Sequence, residues 1–274
     1  MSIDKRAIID PAARLADNVT IGPYAIVGPR VEIGEGTVID AHVVIKSHTK
    51  IGKHNRIYQF ASIGDDPQQI GYQGEESYLE IGDHNVIREF VTINRGIAED
   101  EGGITSVGNY NYLMAYSHIA HNCRIGNRIV FANNATIAGH VVVDDYAILS
   151  GFTAVHQFCY IGAYSFLRGT SAVSRDVMPY LMVNGRPTEP CGLNTVGLRR
   201  NGFSSEVITQ LKEGYRVLFR KGLKLAEARE ELVKMSEPCP RLKLWVEAID
   251  RSKRSIARPE VNNTADTEDS IVLK

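Results

Sequence analysis

Aliphatic residues recur every six positions along most of the chain. The series runs Ile9, Leu15, Ile21, Val27, Ile33, Ile39, Ile45, Ile51, Ile57 and Ile63. It resumes at Ile81, Ile87 and Ile93, and again from Val107 through Leu113, Ile119, Ile125, Phe131, Ile137, Val143, Leu149, Val155, Ile161 and Leu167 to Val173. The position two before each is mostly small or β-branched, as at Val19, Ala25, Val31, Thr37, Val43, Ala61, Ala135, Val141 and Ala147. Glycine often follows, as at Gly22, Gly28, Gly34, Gly52, Gly82, Gly108, Gly126 and Gly162. A period of six is neither the 3.6 of a helix nor the simple alternation of a long strand. It fits a short strand with inward residues at the aliphatic position and two before it, followed by a corner. Glycine reads as the residue that supplies the corner's unusual backbone. Three hexads make one triangular coil of 18 residues. Stacked coils make a parallel β-helix, a solenoid held by neighbour contacts that needs a cap at its open end.

The period breaks twice. The polar stretch Gly64 to Glu80, with Pro67, Gly71 and Gly74, reads as an excursion from the solenoid. The stretch Asn94 to Ser106 contains a loop, because Ile93 to Val107 is not a multiple of six. Loops on a rigid scaffold are where sites tend to be built. After Val183 the period ends, and Asn184 to Pro187 with Pro190 reads as a link. Helical signals follow. Ser204 can cap a helix whose Ile208, Leu211, Tyr215 and Leu218 share a face; a second spans Leu225 to Met235; a third holds Leu244, Trp245, Ala248 and Ile249. The expected organisation is a β-helix over residues 1–185, with loops near 64–80 and 94–106, a helical cap over 186–258 and a loose tail over 259–274.

The formal net charge of −1 argues against a nucleic-acid binder held by charge. That average hides a contrast. Residues 1–185 carry −5, residues 186–258 carry +7 and the tail −3, so the cap is a basic surface suited to an acidic partner. The four cysteines form no CxxC pair, which suggests neither a disulfide framework nor a zinc finger. Met1 to Arg6 lacks an apolar segment and no apolar run is long enough for a membrane span, so the expected compartment is the cytoplasm.

All eight histidines lie among the hexads. His42, His48, His54 and His84 share one phase and read as outward corner residues. The stretch from Ser117 to Cys123 differs, with His118 and His121 on either side of inward Ile119. Residues 18 apart stack, so His121 lies under Gly139 and Gln157, Asn122 lies under His140 and Phe158, and the Ala120 column leads to His156. These residues converge on one outward patch, which a neighbouring subunit would have to close into a pocket; that argues for a homo-oligomer. A neutral imidazole is a competent general base, and Gly139 can offer its N–H to a developing oxyanion. The rival use of clustered histidines is zinc, as in the γ-class carbonic anhydrases that share the hexad fold, but the His-x-x-His spacing matches that pattern poorly. No cofactor or metal is expected.

The motifs inside the hexads resemble one family. They are Ile57-Tyr58-Gln59-Phe60-Ala61-Ser62-Ile63-Gly64, Tyr72-Gln73-Gly74-Glu75, His118-Ile119-Ala120-His121, Ala132-Asn133-Asn134-Ala135, Ala138-Gly139-His140-Val141, His156-Gln157-Phe158-Cys159 and Gly197-Leu198-Arg199-Arg200-Asn201-Gly202-Phe203-Ser204. With them the chain resembles, to about residue 258, the acyl-carrier-protein-dependent UDP-N-acetylglucosamine O-acyltransferases of lipid A synthesis. The resemblance implies a left-handed hand for the β-helix and a homotrimer with sites between subunits. It implies transfer of a 3-hydroxyacyl chain from acyl carrier protein to the sugar 3-hydroxyl, with no nucleic acid or membrane span involved. It places the general base on His121, its orienting neighbour on Asn122 and the oxyanion N–H on Gly139. It places substrate contacts on Gln69, Tyr72, Asn94, His118, His140, His156, Gln157 and Arg200, and the acyl-length position on Gly169. The chain departs from the family where Gln69 and Gly71 replace an acid and a lysine, Asn94 a histidine and Asn122 an acid. These changes fall on the sugar side and raise the alternative of a 3-amino nucleotide sugar giving an amide.

Overall fold

The computed structural model describes residues 2–98 and 102–258. The hexads form short strands in three parallel sheets that wrap one continuous apolar core. The first sheet begins at Ser2–Ile3, the second at Ile8–Ile9 and the third at Arg14–Leu15. Each strand pairs with the one a coil away, as in Leu15 with Ile33 and Ile119 with Ile137. The periodic aliphatic residues from Ile21 onward are buried, and so are the small residues two before them.

The two interruptions are excursions that leave the stacking intact. Ile57 pairs with Ile87 and Ile63 with Ile93, twelve residues more than a plain coil. Ile87 pairs with Leu113 and Ile93 with Ile119, eight more. A buried column bridges these irregular coils. The Asn55 N–H donates to Thr37 Oγ1, the Asn85 N–H to Asn55 Oδ1, the Asn111 N–H to Asn85 Oδ1 and the Ile129 N–H to Asn111 Oδ1, at 3.1, 2.8, 2.9 and 2.8 Å. The three amide Nδ2 groups donate to the carbonyls of Gly82, Gly108 and Gly126. Every polar atom of this ladder thus finds a partner in a core that would otherwise penalise it.

The corners correct the reading of glycine. Left-handed backbone falls three residues after the aliphatic position, and large side chains mostly fill it: φ is 59° at Tyr24, 60° at His42, 64° at Phe60, 58° at Phe90 and 63° at Tyr116. The left-handed conformation costs a non-glycine residue about 1–2 kcal/mol. Stacking offsets part of that cost. These five rings form one column with centroids 4.9–5.2 Å apart. The glycines directly after the aliphatic position meet a different demand. A Cβ on Gly22 would lie 2.8 Å from Ala41 N, and one on Gly108 would lie 2.4 Å from Gly126 O. They are small because the next coil passes close by.

Residues 184–190, read as a link, belong to an antiparallel hairpin. Leu181–Gly185 and Thr188–Leu193 extend the first sheet. Among the described residues four α-helices follow, α1 (Thr195–Arg200), α2 (Ser205–Phe219), α3 (Leu225–Ser236) and α4 (Lys243–Arg251), with a 3-10 turn at Pro240–Leu242 before the last. Ser204 caps α2, its Oγ accepting from the Val207 N–H, and Ile208, Leu211 and Leu218 are buried. The short α1 carries little periodicity and was not legible. Trp245 of α4 is fully buried and donates from Nε1 to Pro179 O at 2.7 Å, pinning the helices to the last coil. The expected loose tail over 259–274 lies outside the described residues. No helix among them is long and apolar enough to cross a membrane.

Candidate functional site

The corner between the second and third sheets carries His121. Directly above it, Gly139 leaves the space its ring occupies: a Cβ there would lie 2.4 Å from His121 Cε1 and 2.6 Å from Nε2. His140 meets the His121 ring edge-on at 5.1 Å, and Phe158 stacks on His140 at 4.6 Å. The column of residues 18 apart therefore exists as a packed object.

Asn122 fixes the state of His121. Its Oδ1 accepts from the Ile97 N–H at 2.8 Å, and its Nδ2 donates to the Ile97 carbonyl at 3.2 Å. The two backbone groups of Ile97 admit one orientation of the amide. His121 Nδ1 lies 3.0 Å from that same Oδ1, which can only accept, so Nδ1 carries the proton. In the neutral imidazole this tautomer keeps the lone pair on Nε2, the arrangement a general base requires. Ile97 belongs to the second excursion and Asn122 N–H donates to Thr105 Oγ1 on its far side, at 2.8 Å. The loop thus braces the side chain beside His121.

His118 is a neighbour of another kind. Its Nδ1 lies 2.7 Å from Thr92 Oγ1. Burial, with the nearby His121 adding to it, holds its pKa below the usual imidazole value, so it is neutral near pH 7. Gly139 is buried, and no backbone carbonyl among the described residues accepts its N–H. His156 and Gln157 lie exposed one coil on, the His156 Nδ1–H donating to the Gln157 carbonyl at 3.1 Å. Cys123, beside this cluster, is fully buried with its thiol pushed up to about 12, which rules it out as a thiolate nucleophile.

The first excursion brings its residues to the coil that carries Asn94. Arg95 donates to Gly64 O at 2.9 Å and to Tyr72 Oη at 3.1 Å, and pairs closely with Asp66. Asn94 is 3% exposed; its Nδ2 donates to Asp66 O at 2.7 Å, while its Oδ1 has no partner among the described residues. Gln69 is exposed in the same excursion. Gly151 and Gly169 stack in a column open to solvent at Gly169, and Arg200 is exposed at the end of α1. The contacts Ile97–Asn122 and Arg95–Tyr72 had no signature in the sequence, since each joins a loop to a distant coil. Among the described residues, no three His, Cys, Asp or Glu side chains gather as a metal site.

Known proteins share this fold and much of this sequence over nearly the whole chain. The model of the bacterial transferase hexapeptide matches residues 12–47 and 104–139, and that of the second domain of UDP-N-acetylglucosamine O-acyltransferase matches residues 176–257. An acyl-[acyl-carrier-protein]–UDP-N-acetylglucosamine O-acyltransferase of Alkalilimnicola ehrlichii is 54% identical, over 93% of this chain and 99% of that protein. One from Halorhodospira halophila is 53% identical over the same shares. The solved UDP-N-acetylglucosamine acyltransferase of Francisella novicida superposes with a TM-score of 0.92 at 46% identity, over 93% of this chain and 94% of that one. That of Moraxella catarrhalis superposes with a TM-score of 0.91 at 48% identity, over 94% and 100%. A hexad solenoid with a helical cap, a tautomer-locked histidine under a space-making glycine and identity near one half over more than nine-tenths of the chain lead to one assignment: this chain belongs to the acyl-[acyl-carrier-protein]–UDP-N-acetylglucosamine O-acyltransferase family.

Proposed function

We propose that the protein transfers a 3-hydroxyacyl chain from acyl carrier protein to the 3-hydroxyl of UDP-N-acetylglucosamine in lipid A synthesis, in the cytoplasm and as a homotrimer. The observation that carries the mechanism is the locked tautomer of His121. Its Nε2 takes the proton of the sugar hydroxyl as the oxygen attacks the thioester carbonyl. The C–O bond forms and the carbonyl oxygen becomes an oxyanion facing the Gly139 N–H. The intermediate collapses, the C–S bond breaks, and the imidazolium returns its proton to the departing thiolate. His118, His140, His156, Gln157, Gln69, Tyr72, Asn94 and Arg200 line the approach of the nucleotide sugar and carrier, and the Gly151–Gly169 column takes the acyl chain. The trimer reading rests on the patch being an outward wall, which only a neighbouring copy can enclose. The basic cap suits an acidic carrier protein. The test is acylation of UDP-N-acetylglucosamine by the purified protein with 3-hydroxyacyl carrier protein, followed by mass spectrometry. A His121→Ala variant that keeps full activity refutes the base.

A second reading, transfer to a 3-amino nucleotide sugar, has one specific support. Asn122 is neutral, and Asn94 Oδ1 is a buried acceptor without a donor among the described residues, whereas an amine brings one more N–H than a hydroxyl brings O–H. An amine also attacks before it loses its proton and so needs a weaker base. Rates measured side by side on the two sugars decide between them.

A further inference from the structure

The tip of the first excursion has little of its own to hold it. Gln68 to Gly71 and Gln73 to Glu76 are exposed, and the tip's one large aliphatic side chain, Ile70, is 93% exposed, so apolar burial does not fix it. Ordering such a stretch costs conformational entropy at every residue. Among the described residues, one hydrogen bond from another coil reaches residues 68–75: Arg95 Nη2 donates to Tyr72 Oη at 3.1 Å. The Tyr72 hydroxyl donates its own hydrogen to the Glu75 carbonyl at 3.1 Å, and the Gln73 N–H donates to the Glu75 carboxylate at 3.1 Å. The tip is thus folded round one hydroxyl, and one guanidinium holds that hydroxyl. The Arg95 side chain is 11% exposed. It also donates to the Gly64 carbonyl at 2.9 Å and pairs closely with Asp66, so its planar fork joins the outgoing limb of the excursion to the tip. The next two residues fasten the same frame. The Gly96 N–H donates to Tyr78 O on the returning limb at 3.1 Å, and a Cβ on Gly96 would lie 2.6 Å from Ile104 N, so the position admits no side chain. Ile97 then holds Asn122 beside His121. Three consecutive residues therefore tie together the outgoing limb and tip, the returning limb and the neighbour of His121.

We propose that Arg95 is a positioning residue for the acceptor: it holds the tip of the first excursion in its binding shape before the nucleotide sugar arrives. The proposal rests on the function given above, in which that excursion lines the sugar's approach, and names the residue that keeps it ordered. Without the guanidinium, the cost of ordering the tip falls on sugar binding. The lost contact is a charge-assisted hydrogen bond, so the KM for UDP-N-acetylglucosamine in Arg95→Ala rises about 10- to 100-fold. The bound sugar orders the tip in either protein, so kcat falls by less than about threefold and the KM for the acyl carrier is unchanged. A scaffolding role alone would lower the folded fraction, and with it kcat, at constant KM. Arg95→Lys keeps the charge without the fork and gives an intermediate KM. Tyr72→Phe removes the hydroxyl alone and also raises the sugar KM; added to Arg95→Ala it contributes less than about twofold more, because both changes cut the same tie. If Arg95→Ala does not fold, Tyr72→Phe and Arg95→Lys carry the comparison of the two KM values. Hydrogen exchange without substrate, read at the amides of Tyr72 and Gln73, quickens about 10-fold or more in Arg95→Ala and in Tyr72→Phe. An unchanged sugar KM, KM values that rise alike for sugar and carrier, effects of the two substitutions that multiply in full, or unchanged exchange at the tip overturns the proposal. Absence of sugar acylation by the wild type, with exchange still quickened in the variants, overturns the proposed function and leaves the tie standing.

Discussion

Gly139→Ala isolates the contact on which the site depends. The backbone of Gly139 lies outside the left-handed region, so alanine fits it without strain. The added methyl does not fit. It would lie 2.4 Å from His121 Cε1 and 2.6 Å from Nε2, where an ordinary contact begins at 3.4 Å, so the ring must retreat by about 1 Å. Displacement of a reacting group by about 1 Å can cost about 100-fold in rate, and overpacking costs about 1–3 kcal/mol of stability. The expected result is a fall of about 100-fold in kcat/KM, measured with saturating acyl carrier protein and varied sugar, and a lower midpoint in urea. The companion variant supplies the control. In a His121→Ala background the three atoms nearest the methyl are gone, so adding Gly139→Ala is expected to change the unfolding free energy in urea by less than about 0.5 kcal/mol. Wild-type kcat/KM in Gly139→Ala, or a stability cost that persists without the imidazole, refutes the reasoning.

Three further outcomes follow from the same geometry. Asn122→Asp places a carboxylate against the Ile97 carbonyl, now 3.2 Å from Nδ2, and is expected to cost about 1–3 kcal/mol in urea unfolding while moving the acid limb of the kcat/KM profile to higher pH, because the anion favours the imidazolium. Buried His118 has its pKa lowered in the fold, whereas the unfolded chain takes up its proton near 6.5. Its contribution to stability is therefore complete above about pH 6.5 and is lost as pH falls below it, and His118→Asn flattens the pH dependence of the unfolding midpoint in that window. Asp176→Ala strands the buried Tyr160 N–H and releases Ser252 and Arg254; the expected cost is about 2–4 kcal/mol, with hydrogen exchange accelerating first over residues 252–257.

The solenoid was legible because its core obeys the simplest rule available. Inward positions from Ile21 to Val173 repeat at a spacing no helix or long strand shares, and burial alone fixes them. Stacking of His121 under Gly139 followed from the same arithmetic, since coil repeats carry a register that sequence displays. The corners were misread because two demands, left-handed backbone and close approach of the next coil, fall on different residues. Glycine meets the second, while histidine, tyrosine and phenylalanine meet the first through ring stacking. The brace on His121 was invisible for another reason. Ile97 offers only its backbone, which every residue has, and it reaches Asn122 across a gap of 25 positions that no period governs.

The asparagine ladder separates two kinds of change that a protein usually suffers together. Its rungs cross the coils that carry the two excursions, linking Asn55 to Asn85 and Asn85 to Asn111 with the same bond used in the plain coil from Asn111 to Ile129. Each coil thus takes its height from an amide in the wall, whatever length of chain leaves and returns at the opposite edge. Such a chassis lets the chain that leaves and returns change in length while His121 and Gly139 keep their spacing one coil apart.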